Sequence, residues 1–232
     1  MDRDVKPIPA PAPDLRAGRV ARTEAALIAA ARTLFLEQGY VSTTLAQVAR
    51  HAGVAPRTVY VRFGTKATLF RRVIDHALVG DTEPIDVAHR PRTLDAMNAP
   101  TFDDRIEAFV DVAIGIAGRA GALFEVAAQA EGLEPELAQA AQAGRRSTAE
   151  LCTSFWAKAV DDGLLDPGTD VTRLAVATDI MICADTVVHL RRVDRWSPDV
   201  HRNLIIVTVR ALTDQSRSGR SAAASTAWVP SR

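Results

Sequence analysis

One short stretch of the chain carries side chains suited to reading nucleic-acid bases. Arg57 lies near the start of a short predicted helix, and its forked guanidinium matches the paired acceptors on the major-groove edge of a guanine. Pro56, Thr58 and Val61 lie beside it on the outward side of the same helix and suit apolar contacts, for example with thymine methyl groups. These residue types in this arrangement indicate Arg57 as the main reader of base sequence.

Four further side chains in this region suit phosphate oxygens rather than bases. Tyr60, Arg62 and Lys66 each have a hydroxyl or a cation to donate. Thr44 precedes them at the start of another predicted helix, where backbone N–H groups point outward. A merely solvated face is the alternative for Arg57 and Arg62, and the excess positive charge of the surrounding segment argues against it.

Three short helices separated by tight stops position these residues. Apolar residues recur from Leu45 at i, i+3, i+4 and i+7. Thr44 and Gln47 form a capping box before that helix, and Gly53 follows it. Pro56 suits the first turn of the second helix, and a third helix begins after it. The pattern predicts a helix-turn-helix, whose second helix enters the major groove.

A longer helix is predicted before this unit, from about Arg19 to Gln38, where Gly39 ends it. Its inward face consists of Leu27, Ala30, Ala31, Leu34 and Phe35. Helices of this size bury little apolar surface on their own. We therefore expect the helix that begins at Thr65 to pack against the rest of the chain as well.

The charge of the chain is distributed unevenly, although it sums to zero. Residues 16–80 hold ten Lys or Arg and three acids, a net charge of +7. Residues 81–232 hold 16 basic and 22 acidic residues, a net charge of −6, and the first fifteen residues carry −1. A basic module joined to an acidic one indicates a DNA-binding head on a body with another task.

Composition and proline placement divide the chain into five segments. Residues 1–15 are proline-rich and are expected to form a disordered arm. Residues 16–80 form the predicted DNA-binding domain, including a connecting helix at 66–80, and residues 81–101 form a connector broken by three prolines. Residues 102–215 form a predicted helical body, and residues 216–232 a disordered tail.

Helical periods predict an all-α body. Thr101 caps its first helix, and three glycines in that helix mark either close packing or a break near Gly118–Gly121. The remaining helices are expected at about 122–130, 135–162, 170–193 and 198–215.

Residues 19–80 resemble the DNA-binding region of the tetracycline-repressor (TetR) family of bacterial transcription regulators. The residues that carry the resemblance are Gly39-Tyr40, Thr44, Val48-Ala49, Ala52-Gly53-Val54, Thr58-Val59-Tyr60, Phe63 and Lys66. The resemblance implies that Thr44, Tyr60 and Lys66 contact the DNA backbone. Ala55 stands where that family often has a capping Ser, and Val61 where it often has an aromatic residue, so base preference does not carry over.

The same resemblance implies that the body binds a small inducer and forms a homodimer through its last two long helices, about 170–193 and 198–215. The final helix agrees with this expectation because Leu204, Ile205, Ile206 and Val207 cover more than one of its faces. One face can meet the body and another a partner subunit, giving a symmetric four-helix interface.

Six inward aromatic or polar residues of the body are candidates for the inducer pocket: Phe109, Phe124, Trp156, Met181, Asp185 and His189. Asp185 and His189 are four residues apart, so they share a helix face and suit holding one another or a polar group of the ligand. The alternatives are that Phe109, Phe124 and Met181 are ordinary core and that Asp185 and His189 lie in the dimer interface.

Other classes of protein find little support in the sequence. No apolar run approaches the length of a membrane span, and the first residues lack the apolar region of a secretion signal, so a cytoplasmic protein is expected. Cys152 and Cys183 lie 31 residues apart without metal-ligand spacing, which favours a reduced structural role over a redox pair. We expect no metal site, no cofactor and no catalytic site.

Three functional hypotheses follow. The favoured one is a ligand-responsive transcriptional repressor that a small molecule releases from a pseudo-palindromic DNA operator. The second is a DNA-binding protein whose body only dimerises or binds a protein partner. The third, an enzyme with an accessory DNA-binding head, lacks a phosphate-binding loop or nucleophile motif.

Overall fold

The computed structural model describes residues 15–81, 85–193 and 197–218, and within these ranges it contains ten α-helices and no β-strand. The all-α prediction is confirmed. The helices are α1 Leu15–Ser42, α2 Leu45–His51, α3 Pro56–Phe63, α4 Lys66–Val79, α5 Pro91–Met97, α6 Phe102–Ala130, α7 Pro135–Asp161, α8 Val171–Ile182, α9 Ala184–Arg192 and α10 Pro198–Ser218. Residues 1–14 of the predicted arm and 219–232 of the predicted tail lie outside the described residues.

The helix-turn-helix formed by α2 and α3 has the predicted stops. The Thr44 hydroxyl accepts a hydrogen bond from the Gln47 backbone N–H at 3.2 Å, and the Gln47 side chain accepts one from the Thr44 N–H at 2.7 Å. Gly53 has a φ of 68°, which a residue with a side chain rarely adopts. Pro56 is the first residue of α3, where its missing N–H leaves no bond unmade.

α1 and α4 close a core beneath α2 and α3. Leu27, Phe35, Val48, Val59 and Phe70 are all fully buried there. Gly39 has non-helical dihedral angles (φ 77°), so the long part of α1 ends at Gln38 and one further turn follows. The predicted end of the first helix at Gln38 is therefore confirmed.

The core of the head continues into the body. Leu123 and Val126 of α6 and Leu137 of α7 belong to the same buried cluster as Phe35 and Phe70. α4 packs against α6 and α7 as well as α1, as predicted for a head too small to bury enough surface alone.

A second buried cluster lies within the body. Phe109 of α6 stacks on Phe155 of α7 with ring centroids 4.1 Å apart. The Trp156 indole N–H donates a hydrogen bond of 3.0 Å to the Thr178 hydroxyl, which satisfies both polar groups inside the core. Ile205 of α10 completes this cluster.

Gly121 of α6 marks close packing rather than a break. α6 is continuous from Phe102 to Ala130, so the separate helix predicted at 122–130 is wrong. Gly121 is buried, and a Cβ added there would lie 3.1 Å from side-chain carbons of both Val187 and Arg191. The missing side chain lets α9 approach α6 closely.

The single helix predicted at 170–193 is also wrong. It is broken at Cys183, whose ψ of 157° is extended, although neither Pro nor Gly is present. The reason is tertiary packing: α8 packs against α7 and α10, whereas α9 packs against α6. The break leaves carbonyl oxygens at the end of α8 without a partner in the helix. The Thr186 hydroxyl donates a hydrogen bond to one of them, that of Ile180.

The segment predicted as a connector is largely folded where it is described. It contains a 3-10 turn at Val87–His89 and the seven-residue helix α5, which packs on α6. Pro91 begins α5 rather than preventing it. Among the described helices, none is both long enough and apolar enough to cross a bilayer.

Candidate nucleic-acid interface and its connection to the body

α3 turns one side to the core and the other to solvent. Val59 and Phe63 are buried, whereas Tyr60 is 53% and Val61 77% exposed. Pro56 and Arg57 are exposed as well, and Thr58 is half-buried. Of the four predicted base-contacting residues, three are thus exposed and the fourth is partly accessible. A helix with this exposure can lie in a DNA groove without losing its packing on the head.

Among the basic candidate contacts, Arg57 differs from Arg62 and Lys66 in having no partner in the described residues. Its guanidinium makes no hydrogen bond or ion pair with any residue in the described part of the chain. It borders an open groove between α1 and α3, together with Arg19, Thr23 and Thr58. All five of its N–H donors are therefore available to an external acceptor.

Lys66 is held differently from the prediction that it reaches outward to phosphate. Its ammonium group donates to the backbone carbonyl oxygens of Tyr40 at 2.9 Å and Val41 at 3.4 Å. It also lies 4.2 Å from the centre of the Tyr40 ring, a cation–π contact. In this arrangement Lys66 connects the start of α4 to the end of α1. A phosphate would have to bind an ammonium group that already donates to these two carbonyl oxygens.

Arg62 is also partnered. Its guanidinium forms an ion pair with the carboxylate of Glu24 on α1, which is joined by Arg72 of α4 at 3.3 Å. Burial acts to raise the pKa of Glu24, but hydrogen bonds and charge from Arg62 and then Arg72 outweigh it, so the pKa is lowered. Our sequence analysis did not identify Glu24. Its position three residues before the inward-facing Leu27, as one of three acids in a basic segment, was the available signal.

Hydrogen bonds join the head to the body near the start of α4. The Tyr40 hydroxyl donates to Glu134 at 3.1 Å, and the Thr68 hydroxyl donates to Glu136 at 3.2 Å. Burial first, and then the charge of Glu134, raise the pKa of Tyr40 well above its ordinary value, so the hydroxyl keeps its proton.

Arg119 of α6 binds the other end of α4. Its Nε donates to the carbonyl oxygen of Ala77 at 3.2 Å and its Nη2 to that of Leu78 at 2.8 Å. These carbonyls belong to the last turn of α4, whose acceptors have no partner within the helix. Arg119 therefore links α6 directly to the end of α4.

The six candidate pocket residues do not form one site. Phe109 and Trp156 are buried in the core of the body, and Met181 packs partly buried against the same cluster. Phe124 packs instead against the core that the head shares with α6. None of the six lines either of the two grooves between α1 and its neighbours.

Asp185 and His189 do not hold one another. The Asp185 carboxylate pairs with Arg145 of α7, with contacts of 2.8 and 2.9 Å to Nε and Nη2. The Arg145 hydrogen bond is the largest cause of the lowered pKa of Asp185. The His189 imidazole is exposed and bonds to no other described residue. The two residues share a helix face as predicted, but the Asp185 carboxylate is paired with a residue of another helix rather than with His189.

A patch of apolar side chains on α8 and α10 is exposed to solvent. It consists of Val176, Ile180, Val200, Leu204 and Val207, each between 54% and 65% exposed. On α10 the spacing of these residues places them on one face, while Ile205, Ile206 and Val209 fill the core from the other. We refer to these five residues as the α8–α10 patch.

The cysteines are free thiols, and the potential metal ligands of the described residues are not clustered. Cys152 and Cys183 are both free thiols, and burial first, then Asp179 and Cys183, raise the pKa of Cys152 to about 12. Over the described ranges, no group of three or more His, Cys, Asp or Glu side chains is arranged to hold a metal ion.

Comparison with known proteins identifies the same head and the same fold. Residues 27–73 match the family described as bacterial regulatory proteins, tetR family. A stretch of 58 residues is 34% identical to the HTH-type transcriptional repressor BdcR of Escherichia coli K12. That match covers 25% of this chain and 29% of the length of the repressor.

Solved structures extend the similarity to the body. A TetR-family transcriptional regulator from Rhodococcus sp. superposes with a TM-score of 0.64, covering 82% of this chain and 98% of that one at 14% identity. A complex of SmeT with triclosan gives a TM-score of 0.63 over 82% of this chain and 90% of that one, at 18% identity. At these identities the likeness concerns the fold. The head therefore matches the helix-turn-helix of the TetR family of bacterial regulatory proteins, and the described residues share the fold of solved TetR-family regulators.

Proposed function

We propose that the chain is a homodimeric transcriptional repressor that a small molecule releases from a pseudo-palindromic DNA operator. The observation that carries the DNA-binding part is the exposed side of α3, where the Arg57 guanidinium has no partner among the described residues and lies on a head of net charge +7. Arg57 forks onto a guanine, and Pro56, Thr58 and Val61 contact neighbouring base edges.

The proposed phosphate contacts divide into two groups. Tyr60 and Thr44 are exposed and can donate to phosphate without losing a tertiary contact. Arg62 and Lys66 contribute positive charge from partnered positions, Arg62 beside Glu24 and Lys66 over the carbonyls at the end of α1. Their contribution to affinity is therefore smaller per side chain than that of an unpartnered cation.

The α8–α10 patch is the proposed dimer interface. An apolar patch shared by two adjacent helices is the usual starting point for a symmetric contact between two copies of one chain. Pairing through it gives two heads on one face of the duplex, and half-sites one helical turn apart, about 34–36 Å, suit two recognition helices of this kind.

The proposed inducer site lies in the body around Phe109, Trp156 and Met181, which share one core cluster. Phe109 and Trp156 are buried against their neighbours, so a ligand must open this core to enter. Opening would displace α6, and Arg119 would pass that displacement to the end of α4. The complex of SmeT with triclosan, a small molecule held by a protein of this fold, supports the proposal of an inducer. Phe124, Asp185 and His189 lie apart from this cluster, and we do not include them in the proposed site.

Selection of binding sequences from a random pool of duplexes tests DNA recognition. The purified protein should enrich a two-fold symmetric sequence, and Arg57→Ala should lower affinity for it by about 1–3 kcal/mol and relax preference at one position per half-site. Arg146→Ala is the matched control, because Arg146 is an exposed, unpartnered arginine of α7 outside the head. Enrichment of no sequence, or equal losses in the two variants, would refute the proposal.

A separate measurement distinguishes the inducer hypothesis from a body that only dimerises or binds a protein. The selected duplex, labelled with a fluorophore, is titrated with a small-molecule library while anisotropy reports release. A compound that releases the wild-type protein should raise its melting temperature and should act less on Phe109→Ala. If no compound releases the duplex or shifts the melting temperature, the alternative is favoured.

A further inference from the structure

Glu24 connects three helices of the head through one carboxylate. It lies on α1, and its side chain is 13% exposed. One carboxylate oxygen contacts Nη2 of Arg62 at the end of α3, and the other lies 3.3 Å from Nε of Arg72 on α4. Glu24 thus places a carboxylate against Arg62 of α3, and a DNA phosphate would bind the same guanidinium through the same kind of charged oxygen.

The ion pair lies at the rim of the groove beside the recognition helix. Glu24 and Arg62 border the same open groove as Arg19 and Arg57. The Arg62 side chain is 43% exposed, so its remaining donors face solvent. An approaching phosphate therefore meets a guanidinium whose positive charge is already paired with the Glu24 carboxylate.

The packing of α3 does not depend on this pair. Val59 and Phe63 hold the other side of α3 in the core, and both are buried. The Arg62 side of the pair is 43% exposed, and solvent around that side weakens the contribution of the pair to folding stability. The pair is consequently better placed to influence what Arg62 binds than to hold the head together.

We propose that Glu24 acts as an internal substitute for phosphate, which keeps Arg62 from non-specific DNA and so raises the specificity of the head. The inference rests on the proposed DNA-binding function. On scrambled sequences, where the head is loosely docked, Arg62 stays with Glu24. On the selected sequence, docking of α3 brings a phosphate to Arg62 and offsets the loss of the pair.

Salt dependence of binding to a duplex of scrambled sequence tests this role. Glu24→Gln frees Arg62 in each head, which should make the slope of log affinity against log salt steeper by about 0.9 per head. Between about 50 and 200 mM salt this corresponds to roughly a threefold larger loss of affinity per head. Affinity for the selected sequence should rise less, so the specificity ratio should fall.

Glu37→Gln is the matched control. Glu37 is an exposed glutamate of the same helix with no side-chain partner among the described residues, so the substitution removes the same charge and frees no arginine. Adding Arg62→Ala to Glu24→Gln should remove the extra slope. Equal slopes for Glu24→Gln and Glu37→Gln, or a double variant as steep as Glu24→Gln, would overturn the proposal.

Two checks keep the outcome interpretable. If Glu24→Gln fails to show the wild-type melting transition, Glu24→Asp is measured instead. This substitution retracts the carboxylate by one methylene and should also make the slope of log affinity against log salt steeper. An unchanged slope would overturn the proposal. If the wild-type protein has no salt-dependent affinity for any duplex, the proposed function fails, and this inference with it. If the wild type binds and the variants match their controls, the role of Glu24 alone is refuted.

Discussion

Replacing Leu204 with Asp should break the dimer without unfolding the subunit. Leu204 is 57% exposed at the centre of the α8–α10 patch, with Val200 and Val207 one turn away on either side. Full burial of a Leu or Val side chain contributes about 1.5–3 kcal/mol, so covering the exposed part of Leu204 contributes about 1–2 kcal/mol. A two-fold symmetric contact uses the residue twice, so the substitution removes about 2–4 kcal/mol from association.

The expected effect on assembly follows from this magnitude. The dissociation constant of the dimer should rise by at least about 30-fold, because 1.4 kcal/mol corresponds to a factor of ten. Two carboxylates placed in an apolar contact add a desolvation cost in the same direction. Sedimentation velocity over a series of concentrations measures the shift from dimer to monomer, and thermal unfolding reports whether the subunit remains folded.

Leu133→Asp provides the control for this experiment. Leu133 is 61% exposed in the turn between α6 and α7, so it has a similar exposed apolar surface outside the patch. Its substitution should leave the dissociation constant unchanged. If Leu204→Asp sediments like Leu133→Asp and the wild type, the α8–α10 patch is not the dimer interface, and the proposed spacing of the two heads loses its basis.

Three further substitutions test packing, pH dependence and capping. Gly121→Ala brings a Cβ within 3.1 Å of α9 side chains and should lower the free energy of unfolding in urea by about 1–3 kcal/mol. Gly118→Ala adds a Cβ with nothing within 4 Å, so it should leave that free energy unchanged or raise it by up to about 1 kcal/mol. Equal effects of the two substitutions would contradict the close contact. The hydrogen bond from Arg145 lowers the pKa of Asp185 in the folded protein. The Arg145–Asp185 pair therefore stabilises the fold fully above the pKa that Asp185 has in the unfolded chain, and this stabilisation is lost as the pH falls through its folded-state pKa. Asp185→Asn should therefore flatten the acid side of the stability–pH profile, and a profile parallel to that of the wild type would refute the assignment. Thr44→Ala removes the cap of α2 and should lower the free energy of unfolding by about 0.5–2 kcal/mol, so a change within a few tenths of a kcal/mol would show that the cap is unimportant.

The helix-turn-helix could be predicted because its signals are local. Thr44, Gly53 and Pro56 each act within about four residues of their own position, and the structure places a cap, a left-handed turn and a helix start there. The break at Cys183 had no such signal. It arises because α8 and α9 pack against different partners, which depends on residues far away in the chain.

The same distinction applies to the candidate interface. The exposure of Arg57 follows from helical periodicity, since the buried Val59 and Phe63 fix the inward side of α3. The partners of the other cations do not follow from periodicity. Lys66 reaches a carbonyl oxygen 26 residues away, and Glu24 reaches Arg62 across 38 residues. Sequence patterns could show which side chains face outward, but not which of them already bind another residue of the protein.

Interference by guanine methylation at N7 tests the central claim most directly, that Arg57 reads bases from two paired heads. With the selected duplex, the wild-type protein should be blocked by methylation at one guanine in each of two half-sites, related by two-fold symmetry and about one helical turn apart. Arg57→Ala should lose interference at these two guanines while the phosphate contacts persist. An unchanged interference pattern in Arg57→Ala, or a single asymmetric cluster in the wild type, would contradict the account.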